Sequence, residues 1–333
     1  LAKSLANSAN ICFLGDGVPV YREMLSNILG ERAKFAPADK LLSRGASLAY
    51  LAYEKAQRGE YAELFTTLPI YIRKCEAATD KPFGVNVPLM YPEIDTLMRI
   101  LVEEKVKIVF TSAGNPKTWT KYLKDHDMTV VHVVSSSKFA TKCEEAGVDA
   151  IVAEGFEAGG HNGREETTTM CLIPAVRKAT SLPLLAAGGI GNGQAMLAAL
   201  ALGADGVQIG TRFALTKESS AHENFKKLCL NLKEGDTKLL LKKLSPTRLV
   251  KGDFATAVEE AEARGASVEE LRELLGKGRA KKGIFEGDLK EGELEIGQVA
   301  SLFWEELSVE EVMKELIRDF KLSLENVKTQ LCS

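Results

Sequence analysis

Six short runs rich in valine and isoleucine recur between residues 84 and 215, and their spacing limits this chain to few folds. They cover residues 83–87, 107–112, 129–135, 150–154, 183–187 and 206–210, and start 21 to 24 residues apart with one exception. The segments between them carry helical periodicity over 93–105, 117–125, 137–146, 170–179 and 193–202. Runs apolar along their whole length, not at alternate positions, are expected of parallel strands covered on both faces. Strand and helix in strict alternation predict a parallel α/β fold.

The exception is informative. The gap between the fourth and fifth runs is longer by about ten residues, and it holds Glu154-Gly-Phe-Glu-Ala-Gly-Gly-His161-Asn-Gly163. Four glycines in the nine positions 155–163 suit neither helix nor strand, where each costs backbone entropy. A long βα loop in a regular array marks a binding site, because barrel active sites are built from those loops. Two further glycine clusters close later strands, Ala186-Ala-Gly-Gly-Ile190 and Gln208-Ile-Gly-Thr-Arg212. The first opens a helix near Asn192, and bare N–H groups at a helix start bind phosphate without a cationic side chain. Gly188 and Gly189, with Gly210 and Thr211 at the next strand end, are therefore the candidate phosphate site. The plainer alternative is two tight turns.

Eight βα units close a barrel, and six lie in this stretch. Two more are expected near the start, with strands over 10–14 and 32–36 and helices over 18–29 and 40–58. The predicted fold is a (β/α)8 TIM-type barrel, irregular in its first two units. Its expected organisation is a foreign-looking βαβα segment over 1–76, barrel units over 77–216, and a mostly helical appendage over 217–333 without further strands.

The 333 residues, 45% of them hydrophobic, suffice for such a core. A net charge of -3 and the lack of a long basic block argue against nucleic acid as a partner. Six scattered cysteines with no CxxC pair read as reduced thiols. No apolar stretch approaches membrane-span length, and Leu1-Ala-Lys-Ser-Leu lacks the core of a signal peptide. A cytoplasmic location is expected, and the missing initiator methionine suggests a start inside a longer reading frame.

Residues 75–320 resemble the FMN-dependent nitronate monooxygenases and their relatives, the flavin-dependent enoyl-acyl-carrier-protein reductases. The resemblance rests on Asp80-Lys-Pro-Phe-Gly-Val-Asn86, Thr111-Ser-Ala-Gly-Asn-Pro116, the Ala153–163 loop, Ala186-Ala-Gly-Gly-Ile190, and Gly203-Ala-Asp-Gly-Val-Gln-Ile-Gly-Thr-Arg-Phe213. The tail Gly278-Arg-Ala-Lys-Lys-Gly283, Glu286-Gly-Asp-Leu289 and Gly297-Gln298 is similar to one branch of that family. It implies a catalytic His161, and FMN bound by Asn86, Glu154, Gly159, Gly160, Gly188, Gly189, Gly210 and Thr211. NAD(P)H would be the reductant if the chemistry is enoyl reduction, with an acyl carrier protein as partner. A small-molecule substrate and a homodimer are expected in either case.

The family's opening glycine-rich motifs are missing. Residues 8–74, notably Ile11-Cys-Phe-Leu-Gly-Asp-Gly-Val-Pro-Val-Tyr21, Phe35-Ala-Pro37 and Leu68-Pro-Ile-Tyr-Ile-Arg73, resemble instead the C-terminal part of the accessory protein of bacterial tRNA threonylcarbamoyladenosine synthesis. The change near Ile72-Arg-Lys-Cys75 implies a natural fusion or a joining of two reading frames.

The remaining candidates have bland alternatives. Glu154 and Glu157 orient His161 or the ribityl chain, or are solvated. Ser135 and Ser136 bind FMN or cap a helix. His132, between valines, is read as a core residue, and His126 and His222 as surface residues. No pair of histidines has metal-ligand spacing with a carboxylate, so no metal is expected. Arg279, Lys281 and Lys282 are read as a solvated face in preference to a contact with a carrier protein or a nicotinamide phosphate. Two rivals to the flavoenzyme remain. One is a phosphate-binding aldolase or isomerase barrel, which would want a lysine or paired carboxylates at strand ends. The other is a non-catalytic product whose altered front leaves the FMN site open.

Overall fold

The computed structural model describes residues 11–13, 26–27, 33–35, 83–91 and 93–332. The chain divides into two compact units, Leu1–Thr67 and Leu68–Ser333. In the first, β1 (Ile11–Phe13) pairs in parallel with β2 (Ala33–Phe35). These match the strands expected over 10–14 and 32–36. The helices expected over 18–29 and 40–58 lie outside the described residues, apart from the helical residues 26–27. So does most of the segment compared with the tRNA-modification accessory protein.

The second unit is built on six parallel strands in sequence order: β3 (Gly84–Pro88), β4 (Ile108–Ser112), β5 (Thr129–Val134), β6 (Ala150–Glu154), β8 (Leu184–Ala187) and β9 (Gly206–Gln208). The two-residue β7 (Gly160–His161) lies between β6 and β8 in sequence. Helices α1 (Ile94–Glu103), α2 (Thr120–Lys124), α3 (Ser137–Ala146), α4 (Thr169–Ala179) and α5 (Gly193–Ala201) form the crossovers. This is the α/β architecture of a TIM-type barrel, with six of its units among the described residues.

Strand alternation sorts the side chains into two layers. Val87, Val109, Val130, Val134, Ile151, Ala153, Leu184 and Ala186 pack against Met98, Leu101, Ala140, Cys143, Leu172 and Val176 of the helices. The other face gathers Val131, Ala150, Val152 and Ala187 with Phe110, Val133 and Leu185. By the same parity Asn86, Glu154 and Gln208, at or near the C-terminal ends of β3, β6 and β9, belong to this second face.

Two expectations are corrected. The helix expected over 117–125 is a 3-10 turn, Pro116–Thr118, followed by the short α2. Asn115 caps that turn by accepting from the Lys117 N–H at 3.1 Å. The region after 216 is not free of strands. After α6 (Thr211–Ala214) and α7 (Glu223–Cys229), β10 (Thr237–Leu240) and β11 (Thr247–Val250) form an antiparallel hairpin, and β11 also pairs with β7. Thr-Lys-Leu-Leu and Thr-Arg-Leu-Val are four residues each and carry charge, so neither shows as an apolar run. Their third strand is supplied by the glycine loop more than 70 residues earlier.

Helices α8 (Asp253–Ala263), α9 (Val268–Leu275), α10 (Arg279–Ile284) and α11 (Val309–Cys332) complete the unit. A capping box starts α9: Ser267 Oγ accepts from the Glu270 N–H, and Glu270 accepts from the Ser267 N–H. Helix α11 lies directly on α5. A Cβ on Gly193 would stand 2.0 Å from the Phe320 nitrogen and 2.5 Å from the Leu316 oxygen, so only glycine permits the approach. No described helix is long and apolar enough to cross a membrane.

Because both neighbours at Gly193 are backbone, Gly193→Ala must push α11 off α5. We expect a loss of about 1–3 kcal/mol, read as a lower urea midpoint. An unchanged midpoint would show that the two helices separate freely.

Candidate functional site

Two cavities open at the C-terminal ends of the parallel strands. The smaller, about 220 Å³, is walled by the turns Gly188–Gly189 and Gly210–Thr211 and by Gly297. The larger, about 470 Å³, is lined by Asn86, Ser112, Ser135, Gly160 and His161. They meet at Glu154, Gly159, Gln208 and Glu295, which line both. The nine residues that the resemblance implies for catalysis and FMN binding thus all line one cavity or the other.

The smaller cavity owes its shape to missing side chains. Gly188 has φ +83° and lies so close to Gly155 that a Cβ would stand 2.5 Å from the Gly155 oxygen. Gly189 has φ +71°, in the left-handed region that glycine enters at little cost. A Cβ on Gly210 would meet nothing within 4 Å. Among the described residues, no backbone carbonyl accepts from the N–H of Gly189 or Gly210. The Thr211 hydroxyl accepts from the Gly297 N–H at 3.1 Å, which leaves its own proton available to the cavity. Bare N–H groups, one free hydroxyl and nearby helix starts fit an anionic group such as phosphate. Arg212 takes no part: it stacks on Phe303 at 4.3 Å and pairs with Glu315 on α11 at 2.5 Å.

Glu157 serves the turn. Its carboxylate accepts from the Thr169 N–H at 3.0 and 3.1 Å, at the start of α4. The Thr169 hydroxyl is placed to donate to Glu157 at 3.0 Å or to the Gly188 carbonyl at 2.7 Å. This links the histidine loop to the Gly188–Gly189 turn.

His161 is positioned by β7. Thr247 and Arg248 of β11 stand opposite His161 and Gly160, and the Asn162 N–H donates to the Pro246 carbonyl at 2.7 Å. Asn162 Nδ2 donates to the Ala158 and Gly160 carbonyls, both at 2.9 Å. The guanidinium of the buried Arg248 donates twice to the Phe156 carbonyl, at 2.7 and 3.2 Å. The imidazole reaches solvent through the larger cavity, yet the protein around it removes enough water to hold its pKa below the usual value. It is neutral at pH 7 and can accept a proton or a hydrogen bond. Burial raises Glu154 to about 7, and burial together with the nearby Glu293 charge raises Glu295 to about 7.

The other histidines lie elsewhere in function. His132 is buried, with Nδ1 2.6 Å from the Thr111 hydroxyl, and burial lowers its pKa to about 4. It is a core residue that touches the cavity edge. His126 is exposed and bonds the Tyr122 carbonyl. His222 corrects the surface reading: it is half-buried beside Gly287 and caps α7 by accepting from the Asn224 N–H at 3.1 Å. Ser136 caps α3, whereas Ser135 lines the cavity and packs on Gly163. Arg279 is engaged by the Leu274, Leu275 and Glu291 carbonyls, while Lys281 and Lys282 pair with Glu286 and Asp288.

Of the four residues that line both cavities, two escaped the sequence reading, Gln208 and Glu295. Gln208 was legible from parity, two positions after Gly206 on the face that carries Glu154. Glu295 had only a faint signal, the alternation Glu293-Leu-Glu-Ile296, whose Leu294 and Ile296 are buried.

Over residues 92–319 the sequence matches the nitronate monooxygenase family. A probable nitronate monooxygenase of Staphylococcus aureus is 35% identical over 176 residues, covering 50% of this chain and 48% of that protein. The (3aS,4S,5R,7aS)-5-hydroxy-7a-methyl-1-oxo-octahydro-1H-indene-4-carboxyl-CoA dehydrogenase of Rhodococcus jostii is 36% identical over 162 residues, covering 49% and 45%. The chain thus spans about half the length of the curated relatives it matches. The solved structure of FabK from Thermotoga maritima superposes with a TM-score of 0.75 at 38% identity, covering 79% of this chain and 83% of that one. With its family match running from α1 into α11, and the glycine turns and histidine loop inside that span, this chain belongs to the nitronate monooxygenase family.

Proposed function

We propose that the protein is an FMN-dependent oxidoreductase of the nitronate monooxygenase type, acting on alkyl nitronates with O2. The observation that carries this is the meeting of two cavities, one walled by bare glycine turns and the other by His161. The fit to FMN is chemical. The N–H groups of Gly189 and Gly210 and the Thr211 hydroxyl would hold the phosphate. Asn86 and the Gly159–Gly160 backbone would border the ring. Bound there, FMN supplies the redox chemistry and the reaction with O2.

The chain's own residues bind and orient. His161, neutral at pH 7, would accept a hydrogen bond or proton from the substrate in the larger cavity. Strand β7 prevents the loop from swinging away. A small-molecule substrate and a homodimer are part of the proposal. The likeness to FabK favours a second reading, an NAD(P)H-dependent enoyl-acyl-carrier-protein reductase at the same flavin site.

Purified protein should show the absorption bands of oxidised flavin, and heat should release FMN. A colourless preparation that does not take up added FMN refutes the proposal. O2 uptake with propyl nitronate supports the monooxygenase. Rapid anaerobic bleaching by NADH or NADPH, with turnover of a crotonyl thioester, supports the reductase instead.

His161→Ala should lower kcat/KM by roughly 100-fold or more while flavin binding persists. In the wild type, the acid limb of kcat/KM should fall below the ordinary histidine value near 6.5, because burial disfavours the imidazolium. A limb above that value would mean that His161 is not the titrating group.

A further inference from the structure

A third cavity, about 540 Å³, adjoins the glycine turns on the side away from His161. It shares Glu157, Gly189 and Val299 with the smaller cavity and no lining residue with the larger one. The three cavities thus follow one another in a row, with the candidate phosphate site in the middle. Where the second meets the third, Gly189 presents main chain alone.

Two segments build most of this outer chamber. One is the turn 232–236 between α7 and β10, where the Asp236 carboxylate accepts from the Lys233 N–H at 2.7 Å. The other is the 3-10 segment Gln298–Leu302, tied to the histidine loop by the Gln298 N–H, which donates to the Glu157 carbonyl at 3.0 Å. The lining mixes apolar side chains, Leu232, Val299 and Leu302, with polar ones, Lys233, Gln298 and Ser301. Small-molecule sites have this mixture, at volumes of about 300–1,000 Å³. Among the described residues, no hydrogen bond or ion pair engages the Lys233 ammonium. Of the two acids in the lining, Glu157 is occupied by Thr169, and Glu234 is an exposed neighbour of Lys233.

We propose that this chamber is an adenylate subsite, so that the protein accepts the flavin dinucleotide FAD as well as FMN. The proposal rests on the flavin reading and extends it past the phosphate. The second phosphoryl group would pass Gly189 to meet Lys233, and the adenosine would lie against Leu232, Val299 and Leu302. Charge does not oppose the longer ligand. The terminal phosphate of FMN carries about two negative charges near pH 7, and the diphosphate of FAD spreads two over twice as many oxygens and brings them within reach of a free lysine.

The test uses the full chain freed of flavin, with FMN and FAD each titrated by equilibrium dialysis. FAD should bind with a Kd within about 10-fold of that for FMN. Lys233→Glu reverses the charge at the chamber's rim, and Gln298→Trp fills its interior. Each should raise the ratio of the FAD Kd to the FMN Kd by about 5-fold or more, as expected for losing a charge-assisted hydrogen bond or the room for a base. An FAD Kd more than about 10-fold above that for FMN in the wild type, or a ratio unmoved in both variants, overturns the subsite. If FMN binds under either of those outcomes, the flavin reading survives alone. If neither flavin binds, both fall.

Discussion

The pairing of Gly160–His161 with Thr247–Arg248 decides where the histidine stands, and most of the site follows from it. The crossover between β6 and β8 is the longest in the sheet, and a glycine-rich segment of that length has many conformations to lose. Its anchors come from the C-terminal hairpin. Arg248 holds the Phe156 carbonyl, Pro246 accepts from Asn162, and Arg164 donates to the Lys242 and Leu244 carbonyls at 3.0 and 2.7 Å. Each net contribution is on the order of 1 kcal/mol, but an orphaned buried donor costs more. The region after residue 216 therefore acts less as an appendage than as the frame of the reactive loop.

The second constraint is the alternation of the strands. Asn86, Glu154 and Gln208 share a face because each stands at the same phase of its strand, and parallel pairing in register brings those phases to one rim. Glycine does the complementary work at the turns. Removing side chains at 188, 189 and 210 leaves main-chain donors where a cationic site would otherwise need lysine or arginine. An anion held by N–H groups needs no mobile side chain, so little ordering entropy opposes binding.

Much of this was legible in the amino-acid order. The six apolar runs are the six strands, and Ala150–Glu154 and Ser137–Ala146 have the ends read from the chain. The helix carries a strong local signal in its Ser136 cap. Gly188, Gly189, Gly210 and Thr211 were legible as clusters at strand ends, whereas Asn86, Glu154, Gly159, Gly160 and His161 were assigned through the family resemblance. What escaped depends on distant partners. Strands β10 and β11 are too short and too charged to show periodicity, and they exist because the loop at 160 supplies an edge. Glu295 is one acid among Glu291, Glu293 and Glu295, and only the tertiary fold distinguishes it. The resemblance over 8–74 falls largely outside the described residues.

The start of α4 is already satisfied by an anion of the chain's own. With the Glu157 carboxylate sitting on the Thr169 amide, that terminus offers no second berth to a bound phosphate. On the proposed reading, Glu157 would thereby direct a phosphoryl group to the Gly189 and Gly210 turns instead of to the start of α4.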